Sequence, residues 1–253
     1  MASPSDTSDA DFSSLNPAAA DAAINNADGK KYWEGINADV DGMLGGFAHI
    51  TKVDLQGSRN FLAKFGIGTR SGLRVVSSAL EGGAGIGRVT EGLLLDVAEN
   101  VDVVEPIAKF TAALQGKKGV RQIFNLGLEE WQPAEGAQYD LIWNQWCVGH
   151  LTDDQLVAYL GRCKSVLNPG GVIVIKENNS TTGDDIFDPE DSSVTRGDDK
   201  FRALFKQAGL RLVKAEIQRG LQTPGGVKLF TVRMYALKPV DGYNHNNSGI
   251  SMP

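Results

Sequence analysis

The chain has 253 residues, which at roughly 100 to 200 residues per domain makes one large domain with modest extensions the expectation. Hydrophobic residues are 42% and charged residues 22%, ordinary globular usage, and the longest apolar runs, such as residues 172–175, fall far short of the ~20 that cross a bilayer, so neither membrane spanning nor secretion is expected. With 25 Lys plus Arg against 31 Asp plus Glu, the formal net charge of -6 argues against direct binding of nucleic acid and suits a basic partner.

Residues 1–28 are rich in Ser, Asp, Ala and Asn and nearly free of aromatic residues, so a flexible tail is expected there. A single folded domain is expected over 29–239, and a second flexible tail, rich in Asn, Gly and Ser, over 240–253. Inside the domain, β-type runs at 73–80, 101–104, 121–124, 141–146 and 172–175 alternate with helical patterns, which predicts an α/β fold with a parallel sheet wrapped by helices. After the fourth run comes Thr152-Asp153-Asp154-Gln155, a capping-box pattern that predicts a helix through about residue 162. A second helix is predicted at 199–208, ended by Gly209. Runs at 210–217 and 227–237, joined through Thr223-Pro224-Gly225-Gly226, predict a terminal antiparallel pair. Cys147 and Cys163 form no CxxC pair, and His49, His150 and His245 belong to no ligand pattern, so a reduced protein without a metal is expected.

Leu80-Glu81-Gly82-Gly83-Ala84-Gly85-Ile86-Gly87-Arg88 follows the first strand, where a backbone can approach a nucleotide closely. A phosphate-binding P-loop would need Lys and Ser or Thr after Gly87, and positions 88 and 89 are Arg and Val. The dinucleotide fingerprint GxGxxG fits only in degenerate form, and a plain tight turn is the blander alternative. What fits without adjustment is Glu81-x-Gly83-x-Gly85-x-Gly87, with Glu105 closing the second strand 18 residues after the last glycine. This resembles the E/DxGxGxG loop of class I S-adenosylmethionine-dependent methyltransferases. A carboxylate at Glu105 suits two ribose hydroxyls, and a guanidinium at Arg88 suits a ligand carboxylate.

Further segments narrow the resemblance. Tyr32-Trp33, then Val40-Asp41-Gly42-Met43-Leu44-Gly45-Gly46-Phe47, and Ile142-Trp143-Asn144-Gln145-Trp146-Cys147-Val148-Gly149-His150-Leu151-Thr152-Asp153 resemble the protein α-N-terminal methyltransferases, which methylate the α-amine of Xaa-Pro-Lys/Arg N-termini. Ile173-Val174-Ile175-Lys176-Glu177-Asn178 and Asp188-Pro189-Glu190-Asp191-Ser192-Ser193-Val194-Thr195-Arg196 follow the same pattern, so the resemblance runs from about residue 32 to 237. It implies a Rossmann-like class I methyltransferase, with a seven-stranded, mostly parallel sheet whose last strand is antiparallel, plus an N-terminal helical extension. It implies S-adenosyl-L-methionine as cofactor, bound by Trp33, Gly83, Gly85, Arg88, Glu105, Leu128, Glu129 and Gln145. It implies substrate contacts from Leu44, Trp146, Asn178, Asp188 and Ser193, catalytic roles for Asp191 and His150, and no metal. A monomeric enzyme in cytoplasm and nucleus, with peptide N-termini as its partners and no membrane, is the corresponding expectation.

Four positions depart from the family pattern. Glu81-Gly82 stands where Asp-Cys is usual, Glu129 stands for an amide, and Phe230 stands for a substrate-contacting tyrosine. The chemistry implied is attack of a neutral amine, whose pKa is about 7.7 to 8.0 when free, on a sulfonium methyl. Residues 184–199 carry seven carboxylates against one arginine, and Asp188 with Asp185 is expected to meet the substrate's basic side chain. Duller readings stand beside these: a solvated acidic loop, a core Trp146, a His150 that only serves a helix entry, and two buried cysteines. A small-molecule methyltransferase and a catalytically silent scaffold remain the competing functional readings.

Overall fold

The computed structural model describes residues 19–221 and 229–240. The predicted turn at 223–226 and most of both predicted tails, 1–18 and 241–253, lie outside the described residues.

Helical structure begins ahead of residue 29. A 3-10 turn at Ala20–Ala23 leads into α1 (Asn26–Gly35), whose N-cap Asn25 accepts the N–H groups of Ala27 and Asp28. Asp39 caps the short α2 (Val40–Met43) by accepting the Gly42 N–H at 2.8 Å. α3 (Thr51–Ala63) buries Leu55, Phe61 and Leu62 at helical spacing against the sheet, together with two polar residues, Asp54 and Ser58.

Five strands follow: β1 (Val76–Gly82), β2 (Ala98–Val104), β3 (Val120–Phe124), β4 (Tyr139–Gln145) and β5 (Leu167–Asn179). A small hairpin, β6 (Ile186–Asp188) and β7 (Ser193–Thr195), precedes the closing strands β8 (Leu210–Ile217) and β9 (Thr231–Pro239). The main sheet runs β3-β2-β1-β4-β5-β9-β8, with β9 antiparallel to both its neighbours and the first five strands parallel.

Residues alternate between two cores across this sheet. Ala79, Val101, Leu141, Trp143, Val172 and Val174 face α3 and a helical segment made of a π-type turn, Thr90–Leu94, and α4 (Leu95–Val97). Leu80, Val104, Ile142, Ile173 and Ile175 face α5 (Asp153–Ser165) and α6 (Asp198–Gln207). Both faces are covered, so the central strands read as continuous apolar runs rather than alternating ones. The chain moves outward from β1 to β3 and then returns to β4 on the other side of β1, so a crevice opens at the carboxyl ends of β1 and β4, the general ligand position of such sheets.

Differences from the sequence reading are local. β1 begins three residues after the expected start at 73 and ends at Gly82, which draws Glu81 into the strand. β5 is far longer than 172–175 because its lower half pairs with β9 out to Asn179. The hairpin β6–β7 went unread, since three-residue strands carry no periodicity. The capping box is present in full, with Thr152 and Gln155 bonded reciprocally, and Gly209 ends α6 at φ 71°.

Candidate active site

At the crevice the glycine loop turns sharply. Gly83 and Gly85 have φ of 66° and 53°, which is left-handed backbone open to glycine at little cost, and the N–H groups of Gly83 and Ala84 donate to the Val104 carbonyl at 2.8 and 3.1 Å. A Cβ at position 83 would fall on the Cβ of Cys147, so the loop lies against the end of β4 with no room for a side chain. Glu105, just past β2, accepts the N–H groups of Gly85 (2.8 Å) and Ile107 (2.9 Å). Burial raises its pKa, and those two amides pull the other way. Glu81 is buried deeper: its carboxylate meets the Thr90 hydroxyl, and desolvation pushes its pKa up to about 8.

Between this loop and α1 lies a cavity of about 370 Å³. That is within the range of about 300 to 1,000 Å³ typical of small-molecule sites. All eight predicted cofactor residues line it: Trp33, Gly83, Gly85, Arg88, Glu105, Leu128, Glu129 and Gln145. Arg88 Nη1 is bonded to Asp54 at 2.7 Å, and its guanidinium lies 5.5 Å from the centroid of the Trp146 ring. Gln145 Nε2 also donates to Asp54, at 2.9 and 3.0 Å, and its Oε1 accepts from Trp143 Nε1.

Strand alternation separates Trp143 from Asn144, as the pattern of β4 predicts: Trp143 joins the α3 core, while Asn144 accepts the Tyr159 hydroxyl at 2.7 Å on the other side. The alternation does not extend to Trp146. This residue has φ 53°, rare for a bulky side chain, and the turn swings its ring into the same cavity as Gln145.

The opposite end of the cavity is lined by His150, and Asp191, the other predicted catalytic residue, lies next to it outside the lining. His150 closes a 3-10 turn (Val148–His150) that starts where Glu177 accepts the N–H groups of Cys147 (2.7 Å) and Val148 (3.0 Å). Burial pushes the Glu177 carboxyl up to about 7. Behind the turn, the buried guanidinium of Arg196 binds Asp153 and the carbonyls of Val148 and Leu151, which fixes the turn to β7. His150 Nε2 lies 3.9 Å from Asp191 Oδ2 and accepts the Trp33 indole N–H at 3.1 Å. Burial lowers the His150 pKa against the pull of Asp191, so the ring is neutral at neutral pH. Helix α1 is tied down here by Asn26 donating to the His150 carbonyl and by Ser192 accepting the Asn25 N–H.

Trp146 Nε1 and Asp191 Oδ1 are buried here without a partner, while His150 Nδ1 faces the Asp191 and Ser192 backbone without closing a well-formed hydrogen bond. Buried groups of this kind are normally paired, and leaving one unmade costs about 1 to 3 kcal/mol, so this end is built to meet a polar ligand.

Leu44, Trp146 and His150 line the cavity, whereas Asn178, Asp188, Asp191 and Ser193 do not; Ser192, at φ 54°, lines it in place of Ser193. Asp188 is exposed at the hairpin and accepts the Glu190 N–H, while Asp185 is engaged by the Gly197 N–H at 3.1 Å. Asp188, Glu190 and Asp191 all raise the pKa of Tyr32, after burial itself, so the acidic hairpin faces α1. Phe230 is 44% exposed and outside the cavity lining. Met43, Pro106, Ile107 and Phe110 also line it and had no chemical signature in the sequence. Cys147 lines it too, its thiol 3.2 Å from the Gly82 carbonyl and its pKa well raised by burial, so it stays a thiol. Asp54 and Lys176 were likewise unread, though a lysine inside the apolar run of β5 was a visible anomaly. Among the described residues no group of three or more His, Cys, Asp or Glu is arranged to hold a metal, and no helix is long and apolar enough to cross a membrane.

Residues 21–238 match a family profile described as AdoMet-dependent proline di-methyltransferase. The chain is 44% identical over 217 residues to alpha N-terminal protein methyltransferase 1 of Schizosaccharomyces pombe, covering 84% of this chain and 95% of that protein. It is 43% identical over 216 residues to N-terminal Xaa-Pro-Lys N-methyltransferase 1 of Mus musculus, covering 83% and 93%. Among solved structures, a SAM-dependent methyltransferase of Leishmania major superposes with a TM-score of 0.74 at 36% identity, covering 84% of this chain and 82% of that one.

Proposed function

The chain belongs to the S-adenosylmethionine-dependent α-N-terminal protein methyltransferases, and from that premise we propose that its acceptors begin Xaa-Pro-Lys or Xaa-Pro-Arg and enter the cavity between α1 and the β6–β7 hairpin. The observation that carries this reading is the pair of unlike ends of one cavity. One end has a glycine cradle, Glu105 and the cation Arg88; the other is lined by Trp146 and His150, with Asp191 3.9 Å from His150.

The residues present fit the cofactor. The left-handed turn at Gly83 and Gly85 brings bare backbone to the cavity wall, Arg88 offers a guanidinium to a carboxylate, and Glu105 stands where two hydroxyls can donate to it. When bound there, S-adenosylmethionine supplies an electrophilic methyl on sulfur. Trp33 and Leu128 add apolar surface to the lining, and Glu129 provides an acceptor.

Asp191 and His150 handle the proton of the incoming amine. A free α-amine has a pKa of about 7.7 to 8.0, so a large share arrives as ammonium, and Asp191 Oδ1, buried and unpartnered, accepts its N–H. His150 is neutral, and because its Nε2 accepts the Trp33 N–H its proton sits on Nδ1, so it lines the route as a neutral donor rather than a second cation. Trp146 gives a flat wall for the proline ring, and Asn178, half-buried near the end of β5, an amide for the peptide backbone. Asp188, exposed on the hairpin, is the partner of the basic third residue. Ser193, half-buried beside Ser192, and Leu44 complete the peptide groove. The mouse relative is named for Xaa-Pro-Lys, which agrees with this reading.

The deciding experiment is mass spectrometry of a Ser-Pro-Lys hexapeptide incubated with enzyme and S-adenosylmethionine, beside an N-acetylated copy. Methyl gain on the free peptide alone is expected; gain on both, or on neither, removes the α-amine assignment. Asp191→Asn is expected to cut kcat by about 100-fold, within the usual range for a positioned proton acceptor, while leaving cofactor affinity within a factor of about three. Equal losses in both would give Asp191 a structural role instead.

A further inference from the structure

Asp54 and Lys176 are each fully buried, and no reaction step described above uses them. Lys176 Nζ, on β5, lies 2.6 Å from Asp54 Oδ1, 3.0 Å from the Asp54 carbonyl, 2.9 Å from Ser58 Oγ and 2.9 Å from Gln218 Oε1. The same Asp54 carboxylate accepts Arg88 Nη1 and Gln145 Nε2. One carboxylate on α3 therefore holds two cations and an amide, and two of those three groups line the cofactor cavity.

Counting charges gives Lys176 and Arg88 positive against Asp54 negative, an excess of one positive charge in a region where isolated charges are costly. Of the neighbouring carboxyls, Glu81 is kept protonated by burial up to about pH 8 and Glu105 is engaged by the Gly85 and Ile107 N–H groups, so neither pairs with these cations. Lys176 is sealed on all sides, whereas the Arg88 side chain, 9% exposed, borders the cavity. Arg88 is thus the member of this cluster that borders the place where the cofactor's carboxylate is expected.

We propose that Asp54 is a positioning residue of the cofactor site: it fixes the guanidinium of Arg88 and the amide of Gln145 at the cavity wall and, with Lys176 locked behind it, lets one anionic group of the ligand complete a buried four-charge cluster. The proposal rests on Arg88 as the partner of the cofactor's carboxylate. Burial and Arg88 both lower the pKa of Lys176, to about 8, while Asp54 raises it, so the two cations feel each other across the shared carboxylate. The Arg88 contact with the Trp146 ring carries the same geometry to the peptide side.

A double-mutant cycle read by calorimetry with S-adenosylhomocysteine tests this. Arg88→Lys and Asp54→Asn are each expected to weaken binding by about 10-fold or more, and the double variant to be no weaker than the worse single by more than about threefold, because the two act as one unit. Asp54→Asn strands Lys176, so Asp54→Asn with Lys176→Met is included: it removes both charges, is expected to melt cooperatively, and must still lose affinity. With peptide, that pair should raise the KM for S-adenosylmethionine and leave kcat at saturation within about threefold. Wild-type affinity in the folded Asp54→Asn/Lys176→Met protein, or additive losses in the cycle, overturns the proposal while leaving Arg88's assignment intact. If Arg88→Lys alone binds normally, the assignment of Arg88 falls, and the proposal falls with it.

Discussion

Gly83 and Gly85 share one loop and one sign of φ, yet they differ in what surrounds them. An added Cβ at 83 would meet the Cβ of Cys147, which is anchored beside β4; at 85 it would meet the Met43 sulfur at 2.8 Å, the movable part of a flexible side chain. Gly83→Ala should therefore abolish measurable S-adenosylhomocysteine binding, while Gly85→Ala weakens it by about 10-fold or less, the backbone strain of about 1 to 2 kcal/mol being common to both. Calorimetry on the two variants checks the order, and a reversed order would mean that the cradle is not at Gly83. Glu81 makes a different prediction. Burial raises its carboxyl from 4.5 to about 8, so the native state holds that proton more tightly than the unfolded chain does. Its contribution to stability is complete below about pH 4.5 and is lost as pH rises through about 8. Glu177, raised to about 7, adds a loss of the same sign at slightly lower pH. Glu81→Gln should make the fall in Tm between pH 6 and 9 shallower than in the wild type; parallel curves would show that Glu81 does not titrate there.

At the scale of elements, the peptide end of the cavity is assembled from pieces that are separately weak. The 3-10 turn bearing His150 is three residues long, and each strand of the β6–β7 hairpin is also three. Neither is stable alone, and what joins them is Arg196, whose buried guanidinium spans Asp153, Val148 and Leu151. α5 then begins at Asp153 with its capping box closed, and Asp21 from the N-terminal turn accepts the Asp153 N–H at 2.9 Å. Thr152→Ala removes one cap partner and should cost about 1 kcal/mol by urea denaturation. Cofactor affinity should be unchanged, because no cofactor-lining residue belongs to α5. A loss of affinity would mean that the His150 turn and the cofactor end move together.

Across the whole molecule the charge distribution is uneven in a useful way. A net charge of -6 coexists with a proposed cofactor end where Arg88 and Lys176 share the carboxylate of Asp54, and a proposed peptide end where Asp188, Glu190 and Asp191 face Tyr32 of α1. Surface charges are screened within about 8 Å at physiological salt, buried ones much less. Raising salt from about 0.05 to 0.5 M should therefore increase the KM for a Ser-Pro-Lys peptide several-fold while changing the KM for S-adenosylmethionine little. Replacing the third-position lysine by leucine should flatten the peptide's salt dependence; an unchanged slope would place the basic side chain away from the hairpin.

The parallel sheet, its antiparallel closing strand, the capping box at Thr152 and the glycine loop were legible in the sequence, since each is a local pattern of spacing or turn chemistry. The eight residues that the family resemblance assigned to the cofactor line one cavity, although Trp33 on α1 and Leu128 and Glu129 beyond β3 reach it only through the packing. The small hairpin was not legible, because three residues are too few to show a period; nor was the turn at Trp146, because positive φ in a tryptophan is imposed by its neighbours. Asp54 and Lys176 look like an ordinary helix acid and a stray strand lysine, 122 positions apart. Local sequence sets which face of an element is apolar, but whether two buried charges meet depends on how α3 lies across β5, and only the packed sheet determines that.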